Sequence, residues 1–305
     1  MATVTYRGAS WTYEEVTRGG LIWMDRNLGA TQVADESADP DAYGHLFQWG
    51  RGDDGGQLRD STTTTTLYTT DAAGNLFVIT SVAPNDWRNP QKDGLWNDGL
   101  NIPIPTGWRL PTSAELGTER LSWATNNAAG AYESTLKWTV SGSRYYGDAS
   151  LGGVGTVGYI WSSSISGTSA SYLAFSSGSA SLPTIGRAYG FSVRLIKLLV
   201  APTVTTQAVS SIAQTTATGN GTITADGGDA GATRGICWKT STGPTVADGH
   251  ATNGTGAGAY TVAMTGLTAG TKYYVKAYSI NLAGTSYGAE VEFTTLSASD
   301  FFQFF

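Results

Sequence analysis

The sequence predicts a mainly β protein with a few helices, built as two domains, and three observations carry that reading. The chain has 305 residues, long enough for two ordinary cores. Its 40 glycines, with Ser and Thr throughout, favour short strands and tight turns, because Gly and β-branched residues both disfavour helix. The texture changes near residue 200: of the ten Trp, only Trp238 lies beyond Lys197.

Composition bounds the function classes. Apolar residues make up 40% and charged residues 14%, which excludes a disordered or solvating chain. The net charge of −6, with no basic run, lacks the electrostatic footprint of a nucleic-acid binder. No stretch approaches the roughly 18 consecutive apolar residues of a membrane span, so no membrane insertion is expected. The opening MATVTYRGAS has neither the basic nor the apolar region of a secretory signal, so synthesis in the cytosol is expected. Cys237 is the one cysteine, so no intrachain disulfide forms, and the alternating RGICWK predicts a buried thiol.

The elements follow in order. Residues 1–199 form the first expected domain, with Trp23, Trp49, Trp87, Trp96, Trp108 and Trp161 holding a core short of regular structure. The Thr-rich stretch 60–70 predicts a protruding β-ribbon or loop. In PTGWRLPTSAELGTERLSWATNN, Pro111 starts a helix, Thr112 or Ser113 caps it, and Glu115 stands in its first turn. Leu116, Arg120 and Trp123 recur at helical spacing and predict the face that packs on a sheet. Leu173 and Phe175 alternate with Tyr172 and Ala174, which places one pair inward and the other outward. Gly190 to Lys197 alternates strictly and predicts a buried strand with Phe191, Val193 and Leu195 inward. Ala201-Pro202 reads as a linker.

Residues 200–297 read as a β-sandwich of seven or so strands. Six are plain: PTVTTQAV, TATGNGTITAD, ATRGICWKT, GAYTVAMTGL, KYYVKAYSI and EVEFTT, separated by Gly, Asn and Asp clusters. The Asn-Gly pairs at Asn220 and Asn253 read as turns. Residues 298–305 make a Phe-rich tail.

Two resemblances sharpen this picture. TGLTAGTKYYVKAYSINLAGTSYG followed by EVEFTT resembles the fibronectin type III or Ig-like repeats of bacterial surface and phage structural proteins. Earlier in the chain stand, in order, LIWMDRNLGATQ, DAYGHLFQWGR, DWRNPQKDGLW, PTGWRLPTSAEL, YIWSSS and RAYGFSVRLIK. This series, over nearly all of residues 4–197, resembles the Fibrobacter succinogenes major paralogous domain. That domain is a branch of the C-type-lectin-like α+β fold, which also includes phage tropism determinants and variable proteins of diversity-generating retroelements.

The resemblance implies a ligand surface in the segment leading to the last strand, from about Tyr145 to Tyr189. On it the implied ligand-binding residues are Tyr145, Tyr146, Tyr159, Ser171, Tyr172, Ala174, Ser179, Ser181, Pro183, Thr184 and Ile185. Tyr and Ser are also what paratopes favour, for adaptable contact at low entropy cost. The alternative is a Ser-rich surface loop without a ligand. Together these imply a non-enzymatic receptor-binding or adhesion protein on the surface of a bacteriophage virion, as fibre, tail-tip or head decoration. Its partners would be a host cell-surface protein or glycan and other virion proteins, with a homotrimer by analogy. A structural capsid-decoration or filament subunit and a bacterial surface glycan-binding protein stay open beside it. The tail residues Phe301, Phe302, Phe304 and Phe305 would invite aggregation if exposed, so docking into a partner is expected, against folding back on the sandwich.

Enzyme readings fare poorly. A relative of the lectin-like fold makes formylglycine with cysteines of its catalytic domain, and residues 1–200 contain none. His45 and His250 are the two histidines and fall in different expected domains, which hinders a triad or a multi-histidine metal site. Gly153 to Gly158 matches GxGxxG, but YIWSSS follows where a dinucleotide site needs a helix. Asp35, Glu36, Asp39 and Asp41 lack the ligand spacing of a calcium loop and read as a solvated turn. No cofactor and no metal are expected.

Overall fold

The computed structural model describes residues 2–103 and 107–297. The chain divides into two compact units, Met1–Lys197 and Leu198–Phe305, and is mainly β, with two α-helices among the described residues.

The first unit opens on two antiparallel hairpins: β1 (Ala2–Tyr6) with β2 (Ala9–Tyr13), and β3 (Glu15–Arg18) with β4 (Leu21–Met24). Gly19 and Gly20 both have positive φ between β3 and β4, the backbone that a two-residue hairpin turn requires. Ile196–Lys197 returns beside β4 and pairs on its other side with Trp108–Arg109, so the end of the unit is sewn to its start. Helix α1 (Ser113–Leu121) is capped by Thr112, whose hydroxyl accepts from the Glu115 N–H while Glu115 reaches back to the Thr112 N–H. It buries Leu116, Gly117 and Glu119. The short α2 (Ala128–Glu133) follows, capped by Asn127.

At the centre stands the hairpin of β5 (Val157–Ser166) and β6 (Ser169–Ser176). Ile160, Leu173 and Phe175 face one core with Trp23, Leu116, Trp123 and Trp138. Trp161, Ala170 and Tyr172 face a second core with Trp49, Trp87, Trp96, Trp108 and Phe191. The expected outward position of Tyr172 is therefore corrected: it is 8% exposed, because the hairpin has a core on each side. The tryptophans do hold irregular chain together, and the indole N–H groups show how. Trp49 donates to the Ser162 carbonyl, Trp87 to Trp49, Trp96 to Arg51 and Trp161 to Phe47, each at 2.7–3.1 Å. Each ring buries a large apolar area while its N–H donates to a main-chain carbonyl.

One further expectation is corrected. Gly190 to Lys197 is not one strand: only Gly190–Phe191 and Ile196–Lys197 lie in ladders, and the residues between are buried on both sides. Phe191, Val193 and Leu195 do point inward, but Arg194 is 1% exposed as well. Its guanidinium lies 4.3 Å from the Trp138 ring centre and donates to Asn27 Oδ1 and the Leu136 carbonyl, the partners a buried cation needs. Of the ribbon or loop expected for the Thr-rich stretch, the chain takes the loop, with a two-residue strand in it. Thr63–Thr64 pairs in parallel with Phe77–Val78, and Leu67 and Tyr68 pack on the core.

The second unit is an Ig-like β-sandwich. One sheet has the order β7 (Thr203–Ser210), β8 (Ala217–Ala225), β11 (Gly258–Met264). The other runs β10 (Gly249–Thr255), β9 (Thr233–Lys239), β12 (Lys272–Asn281), with β13 (Gly284–Tyr287) and β14 (Val291–Thr294) both on the far edge of β12. Ile223, Ile236, Val262, Met264, Val275, Ala277 and Phe293 fill the core between them. Cys237 is buried in β9, as its alternation predicted. Strands β10 and β13 were not legible: they are edge strands, and GHATNGT presents no apolar alternation. The two Asn-Gly pairs are not turns. Asn220 and Asn253 lie inside β8 and β10, and at Gly221 a Cβ would stand 2.6 Å from Tyr260 Cζ.

Candidate ligand-binding face

Register sorts the residues of the β5–β6 sheet. Tyr159 pairs Ala174, which pairs Ser181; Trp161 pairs Tyr172; Ala170 pairs Ile185. Directly paired residues point to the same side, so Tyr159, Tyr172, Ala174, Ser181 and Ile185 share one face. Ser171 and Thr184 pair with each other on the opposite face. Ser171 is 8% exposed. Ser179 is exposed in the turn after β6, and Pro183 lends its carbonyl to the Tyr172 N–H at 3.1 Å.

Tyr145 and Tyr146 reach this face from a loop with a rigid base. Ser143–Arg144 pairs with Leu151–Gly152, the Tyr145 N–H donates to the Ser150 carbonyl, and the Tyr146 carbonyl accepts from the Thr80 N–H. Beneath, the buried Arg144 donates to the Leu58 and Ser61 carbonyls and to Ser61 Oγ, and stacks 4.3 Å from the Phe77 ring centre. Gly147 leaves room for the Tyr145 ring: a Cβ there would stand 2.6 Å from Tyr145 Cε1.

The structure joins these tyrosines through Tyr189, which sequence reasoning did not single out. Ring centres run Tyr145–Tyr146 4.6 Å, Tyr146–Tyr189 4.8 Å, Tyr189–Phe191 5.5 Å, Phe191–Tyr159 4.9 Å and Phe191–Tyr172 4.8 Å. Trp161 closes the series at 4.5 Å from Phe191. Exposure grades along it, from buried Trp161 and Phe191, through half-buried Tyr159, Tyr189 and Tyr146, to Tyr145 at 40%. Tyr189 stands in the bend two residues before the buried Phe191, and its ring centre lies 5.5 Å from that of Phe191. Leu151 and Val154, both exposed, flank the loop, and at Gly153 a Cβ would lie 3.6 Å from Tyr159 Cε2.

The face is electrically quiet. Burial raises the phenols of Tyr172 and Tyr189 above the ordinary value, and a hydrogen bond with Tyr146 raises that of Tyr145. These three therefore stay neutral donors at any ordinary pH. Such a face can stack, exclude water and hydrogen-bond.

The remaining sequence features take structural places. Asp39 caps the turn at Pro40–Ala42, accepting from the Asp41 and Asp35 N–H groups and from Gln32. Among the described residues no group of three or more His, Cys, Asp or Glu is placed to hold a metal ion. His45 Nδ1 bonds the Tyr6 hydroxyl at 2.5 Å in a mostly buried setting. Gly153 to Thr156 turns into β5, not a helix. Phe301, Phe302, Phe304 and Phe305 lie outside the described residues.

No protein-family model matches the chain, and no curated protein matches it. Among solved structures, it is similar to the sensor domain of the anti-sigma factor RsgI4 in Pseudobacteroides cellulosolvens, 17% identical, over 32% of this chain and 95% of that one, with a TM-score of 0.24. The fibronectin type III domain of human fibronectin type III domain containing protein 3 is 24% identical, over 33% of this chain and 89% of that one, with a TM-score of 0.23. The chicken CNTN1 FN1-FN3 domains are 13% identical, over 42% of each chain, with a TM-score of 0.26. Scores of this size leave the sandwich resting on its own strand order and core.

Proposed function

We propose that residues 1–197 form a C-type-lectin-like recognition domain and that the chain is a non-enzymatic receptor-binding or adhesion protein. The Ig-like sandwich spaces or anchors that domain. The observation that carries the reading is the continuous series of rings from buried Trp161 to exposed Tyr145, on a base fixed by Arg144. A rigid aromatic anchor with Ser and Thr around it is the composition of a binding surface, since ring contacts gain area at little entropy cost. Display on a bacteriophage virion, with a host cell-surface ligand, other virion proteins as neighbours and a homotrimer for avidity, follows the resemblance of the sequence. Diversification of the face by a retroelement is part of the same proposal.

The test is binding of the purified chain to panels of whole bacteria, beside a Tyr145→Ala, Tyr146→Ala double variant. Tyr172 is left intact because it belongs to the core. Binding that falls at least tenfold in the folded variant supports the reading. Unchanged binding in the variant, or none by the parent protein on any surface, moves the assignment to a structural decoration subunit.

A further inference from the structure

The sandwich carries a cleft of its own, of about 650 Å³, lined by residues of both its sheets. We propose that this cleft binds a short acidic segment of a partner protein. The partner's carboxylate would sit on Arg234, and its main-chain N–H groups on the amide oxygens of Gln207, Asn220 and Asn253. Such a site goes beyond the spacing or anchoring role given to the sandwich above.

Five strands build the cleft. β7 supplies Gln207, β8 supplies Asn220 and Thr222, β9 supplies Arg234, β10 supplies Asn253 and β11 supplies Tyr260. Gln207 pairs with Asn220, which pairs with Thr261, so these three share one face of the three-stranded sheet. It is the outer face, because a Cβ at the alternate positions Gly219 and Gly221 would meet Ile236 and Ala277 of the core. Asn253 reaches across from the other sheet, and its Nδ2 donates to the Thr261 carbonyl at 2.6 Å.

The three amides are each held one way round. Gln207 Nε2 donates to the Thr205 and Thr222 hydroxyls at 3.1 and 2.9 Å. Asn220 Nδ2 donates to the Ala208 carbonyl at 2.7 Å and to Ser210 Oγ at 3.0 Å. With these donors and that of Asn253 spent on the sandwich itself, the three amide oxygens face outward as acceptors. None of them takes a hydrogen bond among the described residues, and none is enclosed. A main-chain N–H donates and cannot accept, so an extended peptide matches acceptors whose own donors are spent.

Among the described residues that line the cleft, Arg234 alone is charged. Its Nε donates to the Asn253 carbonyl at 3.0 Å, and its Nη1 to the Gly256, Ala257 and Gly258 carbonyls at 3.2, 3.0 and 3.5 Å. The guanidinium lies 5.1 Å from the Tyr260 ring centre. These contacts fix its plane, while Nη2 makes no hydrogen bond among the described residues and is not enclosed. Lys239 and Lys272 are paired with Asp248 and Glu292, whereas no described carboxylate pairs with Arg234. One oriented guanidinium with a free edge suits one carboxylate. A polyuronate carries a charge on ring after ring and would leave most of them unmatched, whereas a peptide can carry a single one.

The experiment is fluorescence anisotropy of the full chain with a panel of end-capped pentapeptides, each made with Glu or with Gln at its centre, and with an oligogalacturonate. Glu peptides should bind about fivefold or more tightly than their Gln partners, and should loosen as salt is raised. Arg234→Lys keeps the charge but loses the planar fork and should weaken Glu peptides about fivefold. Gln207→Glu, at an exposed position, puts a like charge in the cleft and should remove the preference for Glu over Gln. Should Arg234→Lys fail to fold, as its Tm would show, Gln207→Glu decides alone. The Tyr145→Ala, Tyr146→Ala double variant should bind the peptides as the parent does, which separates this site from the face on the first unit. Equal binding of Glu and Gln peptides, no binding of either, or a Glu preference that survives Gln207→Glu overturns the proposal. Oligogalacturonate bound in place of every peptide makes the occupant an acidic glycan and overturns it too, as does loss of peptide binding in the double-tyrosine variant.

Discussion

Acid should weaken the first unit through His45, and the size of the effect can be worked from its surroundings. Burial, with Arg7 and Arg59 nearby, pulls the His45 imidazole down to about 4 from an ordinary 6.5. Nδ1 bonds the Tyr6 hydroxyl, which also accepts from Gln57 Nε2. The folded value lies below the unfolded one, so the unfolded chain takes its proton first. Stability is therefore fully present above about pH 6.5, falls as pH drops towards 4, and levels off below. At about pH 4.5 the loss from this residue reaches at most about 2.5 kcal/mol. His45→Asn keeps an acceptor near the Nδ1 position and removes the titration. It should cost about 1–2 kcal/mol near neutral pH through lost packing, and the gap to the parent protein should close at pH 4.5. Carboxylates titrate in both proteins and cancel in that difference. Urea unfolding followed by Trp fluorescence measures it, because Trp238 is the one tryptophan outside the first unit. A gap of the same size at both pH values would refute the reasoning.

Three further outcomes are expected. Thr112→Ala removes half of the capping box and should lower the stability of the first unit by about 1 kcal/mol in the same urea assay. Gly158→Ala would place a Cβ 2.1 Å from Phe175 Cζ, which is 1% exposed and edge-on to Trp123, so a loss of about 2 kcal/mol or more, seen as a lowered Tm, is expected. The Cys237 thiol is buried, and burial pushes it up to about 11. It should resist a maleimide at neutral pH and react once the sandwich unfolds, which mass spectrometry would record.

Local signals carried much of the fold because they are local in cause. The Thr112 cap, the Glu115 return and the burial of Leu116 depend on neighbours three or four residues away. Strands β8 and β11 of the sandwich announced themselves by alternation, each burying every second residue in a single core, whereas β9 buries the adjacent Ile236 and Cys237 on both faces. The same alternation misled at Tyr172 and Arg194. A strand with a core on each side still alternates in polarity when its polar residues find buried partners, and nothing in the local sequence says where Trp138 or Phe191 will stand.

By itself, then, the sequence determined the β class, the texture change near residue 200, the helix start and the tyrosines from which a face could be built. Only the tertiary structure decided which of them share a surface. It withdrew Tyr172 into the core, put Ser171 and Thr184 on the opposite face, and brought in Tyr189 to join Tyr146 to Phe191. The physical reason is that strand parity fixes the side of a sheet, whereas the exposure of that side depends on distant chain, 114 residues away in the Trp161 bond to Phe47.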